Sequence, residues 1–174
     1  VTHLTETHPG IDVLVLDAPP SGRIGSFLGA GVGLTELTDG SPIAEQAASV
    51  MDDLRDPTCR THVVTLLGDL PVTETIETVA ALQALDLRLG TVIANRCIAV
   101  PPVPDPLPGA PDGITPDDWN RMTAALLDEA DRARGQAAWQ ALLRYRTGLG
   151  VTCVADHDPS GHGLSTLADQ LELA

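Results

Sequence analysis

The sequence predicts an α/β fold, a mostly parallel sheet flanked by helices, from three observations. Apolar runs of strand length, Ile11–Leu16, Thr61–Leu67 and Thr91–Ile98, alternate with segments of helical periodicity, the grammar of βαβ crossovers. The runs are near-continuously apolar rather than alternating, as strands buried on both faces of a parallel sheet are. Hydrophobic residues make up 43% of the chain but aromatics only 2%, so the core must come from Leu, Val, Ile and Ala, which suits helices packed on a sheet. A length of 174 residues makes 1–174 a single α/β domain or the carboxyl-terminal half of one. With Val1 first and a strand following almost at once, the sheet reads as incomplete on its amino-terminal side.

Polar Val1–Gly10, with His3 and His8 read as solvent-exposed, turns through Pro9 and Gly10 into the first strand. That strand stops on a charge, Asp17, followed by Ala18, Pro19, Pro20, Ser21, Gly22 and Arg23. An unpaired buried carboxylate costs several kcal/mol, so Asp17 calls for a cation or a set of donors. Two prolines stiffen the exit, and Gly22 lets backbone approach a ligand closely. Open α/β sheets bind ligands at this place, beyond the carboxyl end of a strand; the plainer alternative is an aspartate capping a turn. Gly25–Gly40 is glycine-rich, with weak periodicity.

Ser41 as N-cap and Pro42 at the first helical position start a helix. Ile43, Ala47, Val50, Met51 and Leu54 form its apolar face, and Asp56 and Pro57 end it. After the strand Thr61–Leu67, with His62 as an edge residue, Gly68–Pro71 opens a helix. Its Ile76, Val79, Leu82 and Leu85 share a face, and Leu89 and Gly90 close it. The strand Thr91–Ile98 ends in polar Asn95 and Arg96. Residues 99–113 hold six prolines and read as an extended surface connection. The longest helix, 115–146, follows, with Thr115 as N-cap, Pro116 at N1 and Asp118 at N3 in a capping-box pattern. Trp119, Met122, Leu126, Ala130, Ala133, Ala137, Trp139, Leu142 and Leu143 form its stripe, and Gly135 is placed to break it in two. Val151–Ala155 is a further strand. His157 and His162 flank a loop rather than a metal site, since no third ligand is well placed. A last helix carries Leu164, Leu167 and Leu171.

A formal net charge of -14 argues against a nucleic-acid partner, because such binding runs on basic patches. All ten basic residues are arginine, which excludes any mechanism that draws a lysine from this chain. Cys59, Cys97 and Cys153, an odd number without C-x-x-C, point to reduced thiols; Cys97 and Cys153 read as buried small hydrophobes. No apolar run has the length to cross a bilayer, and no secretory leader pattern is recognisable. The chain is expected to be soluble and cytoplasmic, not integral to a membrane.

Four segments in order carry a family resemblance. LDAPPSGRI resembles the switch II segment D-T-A-P-T-G-H-T of the ArsA-like ATPases, which include arsenite-pump ATPases and the targeting ATPases for tail-anchored membrane proteins. VVTLLGDLPVTETIETVAALQAL is similar to that family's strand and proline-containing helix start. VIANRC resembles its strand ending in Asn-Arg. ARGQAAWQALLRY followed by VTCVADHDPSGHGLSTLADQL resembles its R-x-x-x-Q helix, last strand and final glycine-led helix.

The resemblance implies a P-loop NTPase-like fold of the deviant Walker A class, with ATP and Mg²⁺ as cofactors. It implies that Asp17 holds the water shell of Mg²⁺ and that the Gly22 N–H senses the γ-phosphate. Ser21 stands for the family's switch threonine and Arg23 for its following histidine. Asn95 matches the residue that reads adenine, with Arg96 beside it; Cys153 and Val154 fall where the family packs side chains on the base, and Pro20 is counted with the nucleotide contacts. The lysine-bearing Walker A loop and the switch I aspartate have no counterpart.

The chain is therefore expected to be the nucleotide-binding half of an ArsA-like ATPase. It supplies switch II and the adenine-contacting strand end to a dimer whose P-loop lies on an amino-terminal half or a paired ATPase subunit, so that it is inactive alone. A membrane-protein client fits the family; a cysteine cluster for anion transport is not recognisable. The alternative is a non-catalytic partner or regulatory module that pairs with a complete ATPase subunit. A ParA- or MinD-like positioning protein is disfavoured by the charge and by the lack of a basic amphipathic terminus.

Overall fold

A computed structural model describes residues 10, 13–18, 42–99 and 102–156. His3, His8, the loop and glycine-rich segment 19–40, the Ser41 cap, His157, His162 and the expected final helix lie outside the described residues. The architecture is α/β: helix α1 (Pro42–Arg55), strand β1 (Val64–Leu66), α2 (Asp69–Ala84), β2 (Val92–Cys97), α3 (Pro116–Thr147) and β3 (Val151–Ala155). The three strands form one sheet in the order β1-β2-β3, with both pairings parallel. Parallel neighbours need a return limb between them, and α2 and α3 are those limbs. No helix among the described residues is long and apolar enough to cross a membrane.

The chain divides into two compact units, one of residues up to Val63 with Thr73–Gly90, the other of Val64–Val72 with residues from Thr91 onward. In the first unit, α1 ends where the Asp56 carboxylate accepts from the Thr58 N–H at 2.8 Å and the Thr58 hydroxyl at 2.5 Å. These two bonds hold the Asp56 carboxyl below its usual range. The Arg55 guanidinium donates to the Leu85 carbonyl at 3.1 Å, and Thr61 bridges Leu89. A Cβ at Gly90 would meet the His62 imidazole, which would have to shift. Met51, Val79, Leu82 and Leu87 are buried, while Val50, expected on the apolar face of α1, is half exposed. Thr75 and Thr78 are buried on α2 with Val79 and Leu82, so the buried stripe includes threonines that an apolar count passes over.

In the second unit, β2 is the middle strand, and Val92 and Ala94 are fully buried. β1 is shorter than the run Thr61–Leu67, with Val64 and Leu66 exposed and Thr65 buried between them. Helix α3 begins as its local sequence predicts. Thr115 caps it, accepting from the Asp118 N–H at 3.2 Å and donating to the Asp118 carboxylate at 2.7 Å. Gly148, at φ 69°, ends it with its N–H on the Arg144 carbonyl, a left-handed position that suits glycine. The expected break at Gly135 is absent. The position faces open space, and a lone glycine costs about 1 kcal/mol relative to alanine, too little to interrupt a helix of 32 residues.

The largest correction concerns the first apolar run. Residues 13–18 form no strand and pair with none of the three strands; Val13 is 78% exposed and Val15 83%. The pattern predicts a strand buried on both faces, but such a strand needs sheet neighbours and covering helices. The described residues supply neither to this run.

Candidate functional site

The carboxyl ends of β2 and β3 carry the polar groups of the second unit. The register runs Val92↔Val151, Ile93↔Thr152, Ala94↔Cys153 and then Cys97↔Ala155. Asn95 and Arg96 thus oppose Val154 alone, the two-against-one count of a β-bulge. Arg96 takes φ 56°, a left-handed conformation that costs a non-glycine residue about 1–2 kcal/mol. Three side chains offset that cost. The Asn95 Oδ1 accepts from the Arg96 N–H at 2.9 Å. The Arg96 Nε donates to Asp156 at 3.3 Å. Gln136 on α3 accepts from the Ile98 N–H at 2.7 Å and donates to the Arg96 carbonyl at 3.4 Å.

This arrangement settles how Asn95 is presented. Its carbonyl oxygen is turned onto its own backbone, so the NH₂ is the group on the other side of an exposed amide. The Arg96–Asp156 pair is more than half exposed on both partners and contributes little to stability; its role is to hold the guanidinium across the two strand ends.

Beside the bulge, a cavity of about 300 Å³ opens between α3 and the strand ends, lined by Cys97, Ile98, Gln136, Gln140, Cys153 and Ala155 among others. Its volume is at the lower end for a small-molecule cleft. Cys97 is buried and Cys153 exposed, which corrects the expectation that both are core. Burial, and the neighbouring Cys153 thiol after it, push the Cys97 thiol up to about 12.

The structure therefore brings Asn95 and Arg96 together with Asp156, and Cys153 together with Cys97. Val154 is 4% exposed and belongs to the core of the sheet. Asp17 is exposed and belongs to the first unit. Pro20, Ser21 and Gly22 lie outside the described residues. Sequence reasoning missed Asp156 and the bridging work of Gln136. An acid just past one parallel strand and an arginine at the end of its neighbour was the signal for Asp156; nothing in the string NRC announces a bulge. Among the described residues, no group of three or more His, Cys, Asp or Glu is gathered to hold a metal ion.

Against this geometry, ATPase BagA of Mycobacterium tuberculosis is 38% identical over 129 residues, which cover 72% of this chain and 38% of BagA. The chain is similar to a mycobacterial ATPase. Mb3704 of Mycobacterium bovis, named as a candidate ATPase, matches with the same identity and coverage. The chain spans 38% of the length of BagA and of Mb3704. No protein-family model matches it.

Proposed function

We propose that this chain is the nucleotide-binding half of an ArsA-like Mg-ATPase, contributing the adenine-facing strand ends and switch II to a site completed by a P-loop on another segment or subunit. The observation that carries the reading is the built rim at the ends of β2 and β3. A residue held at positive φ, locked by Asn95, Asp156 and Gln136, is the kind of stored strain that collects at ligand sites. Similarity to ATPase BagA supports the same class of activity.

In this reading the Asn95 NH₂ donates to a ring nitrogen of adenine, and the Arg96 guanidinium lies beside the base. Cys153 borders the base pocket, as its exposure allows, with Pro20 counted beside it, while Val154 stays in the core of the sheet. Asp17 is exposed and ends no strand, so burial calls for no cation there, and its part in holding magnesium through water rests on the family resemblance. Magnesium there would neutralise phosphate charge, while Ser21 and the Gly22 N–H sense the γ-phosphate and couple it to closure of a dimer. A chain without lysine lacks the usual cation for the charge that develops in phosphoryl transfer, so turnover requires the partner. The same absence favours a second reading, a regulatory module that pairs with a complete ATPase subunit. In both, the working site is cytoplasmic, and a membrane-protein client belongs to the assembled ATPase.

The deciding experiment is a titration of the chain with a fluorescent ATP analogue, alone and with the lysine-bearing amino-terminal half of a relative added. Magnesium-dependent binding in the mixture only, weakened at least about tenfold by Asn95→Ala, supports the half-site; a loss of that size is one missing hydrogen bond to a charged or buried group. Tight binding by the chain alone, or binding indifferent to Asn95, overturns it.

A further inference from the structure

Apart from the strand-end rim, the molecule presents the exposed apolar side chains of 13–18, the outward face of α3 around Met122, and the two thiols beside the bulge. Nothing on the first two indicates what would cover them. The thiols carry an inference through their placement.

Cys153 stands directly across the ladder from Ala94. The bulge turns Cys97 back along its own strand, so that its Sγ donates to the carbonyl of that same Ala94 at 3.2 Å. Paired strands lie about 5 Å apart, and both cysteines open into the one cavity beside α3. Thiols from neighbouring strands therefore share one cavity, the outer one exposed and the inner one buried.

We propose that Cys153 and Cys97 form a peroxide-reactive pair that closes to a disulfide across β2 and β3. The exposed Cys153 sulfur attacks the O–O bond of a hydroperoxide; with hydrogen peroxide, the thiol becomes a sulfenic acid and water leaves. The Cys97 sulfur then attacks that sulfenic sulfur, the S–S bond forms, the S–OH bond breaks, and the Cys97 proton leaves with the hydroxyl as a second water. The pair of thiols has lost two electrons in all, and one peroxide has taken them up. Closing waits on the inner thiol. Its raised proton affinity slows the closing step, because the thiolate is the attacking species. The product pins β2 to β3 at the bulge, next to Asn95 and Arg96. The chemistry does not depend on whether that rim binds a nucleotide.

The test uses the full chain carrying Cys59→Ser, treated with an equimolar amount of hydrogen peroxide and mapped by mass spectrometry without reduction. Closure predicts loss of the mass of two hydrogens, loss of both remaining thiols, one cross-linked peptide pair joining Cys97 to Cys153, and full reversal by dithiothreitol. In Cys97→Ala the sulfenic acid at Cys153 should persist and be trapped by a cyclic diketone; in Cys153→Ser the remaining thiol should stay reduced. Should Cys97→Ala fail to fold, the peptide map of the unaltered pair still decides. Oxidation of Cys153 to sulfinic acid with Cys97 left as a thiol, a disulfide between two copies, or no reaction at either thiol overturns the proposal.

Discussion

The two halves of α3 are built on different terms. From Ala130 onward the helix is tied to the sheet: Ala130, Leu143 and Thr147 are buried, Gln136 bonds the end of β2, and Gln140 and Arg144 both donate to the Val151 carbonyl. Before it, Met122 and Leu127 are exposed, and the bonds are local: the Thr115 cap, the Arg121–Asp118 pair, and Thr123 returning to the Trp119 carbonyl. One continuous helix thus has a half held by tertiary contact and a half held by capping and side-chain pairs. Local terms can carry several turns once the other end is anchored, because the costly nucleation step is already made.

The comparison is broken most directly at Leu143, which is fully buried. Leu143→Ala is expected to cost about 2–5 kcal/mol in urea denaturation, whereas Met122→Ala stays within about 0.5 kcal/mol; equal losses would erase the distinction. Next in size is Gln136→Leu, which leaves the Ile98 N–H without its acceptor and should cost about 1–3 kcal/mol, read from the same denaturation curves. Thr115→Ala removes the cap and should cost about 1 kcal/mol, with faster amide exchange confined to the first turns. Gly135→Ala, placed between the halves and facing open space, should instead gain about 0.5–1 kcal/mol and raise the melting temperature.

Titration separates the start of α3 from the end of β2 by sign. The Thr115 hydroxyl, and then Arg121, hold the Asp118 carboxyl below its ordinary value. Its stabilising contribution is therefore present at neutral pH and lost as the pH falls through that lowered value. Amide protection in the first turns, measured relative to the unstructured chain at the same pH, should fall in acid, and Thr115→Ala should flatten the response. The raised Cys97 thiol works the other way: stability is kept below the ordinary thiol value and lost as the pH climbs toward about 12. An alkaline melt of Cys97→Ala that still follows the parent would remove that assignment.

The same contrast explains what could be read in advance. The start of α3 was legible because Thr115, Pro116 and Asp118 act within a turn of themselves, whereas the Gly148 cap is seen only in the structure. β2 and β3 were legible because their apolar runs find neighbours in this chain. Ile11–Leu16 shows the same composition, yet 13–18 is exposed, because burial depends on what is brought alongside a run and not on the run itself. Asn95 and Arg96 were correctly placed at a strand end. Their geometry was not foreseeable, since the bulge is fixed by Gln136, forty residues from Arg96 in sequence, and by Asp156. Cys153 is exposed although Val151, two residues before it on the same face of β3, is buried.

Helix α3 grips β2 at its finish, through Gln136, and β3 at its outset, through Gln140 and Arg144. It lies along the strands like a splint fastened at opposite ends, its direction reversed relative to theirs. A sliding of β2 past β3 would have to stretch one fastening or the other. Any rearrangement at the rim is thereby converted into a tilt of a helix 32 residues long, a lever whose far, uncommitted end would sweep through the widest arc.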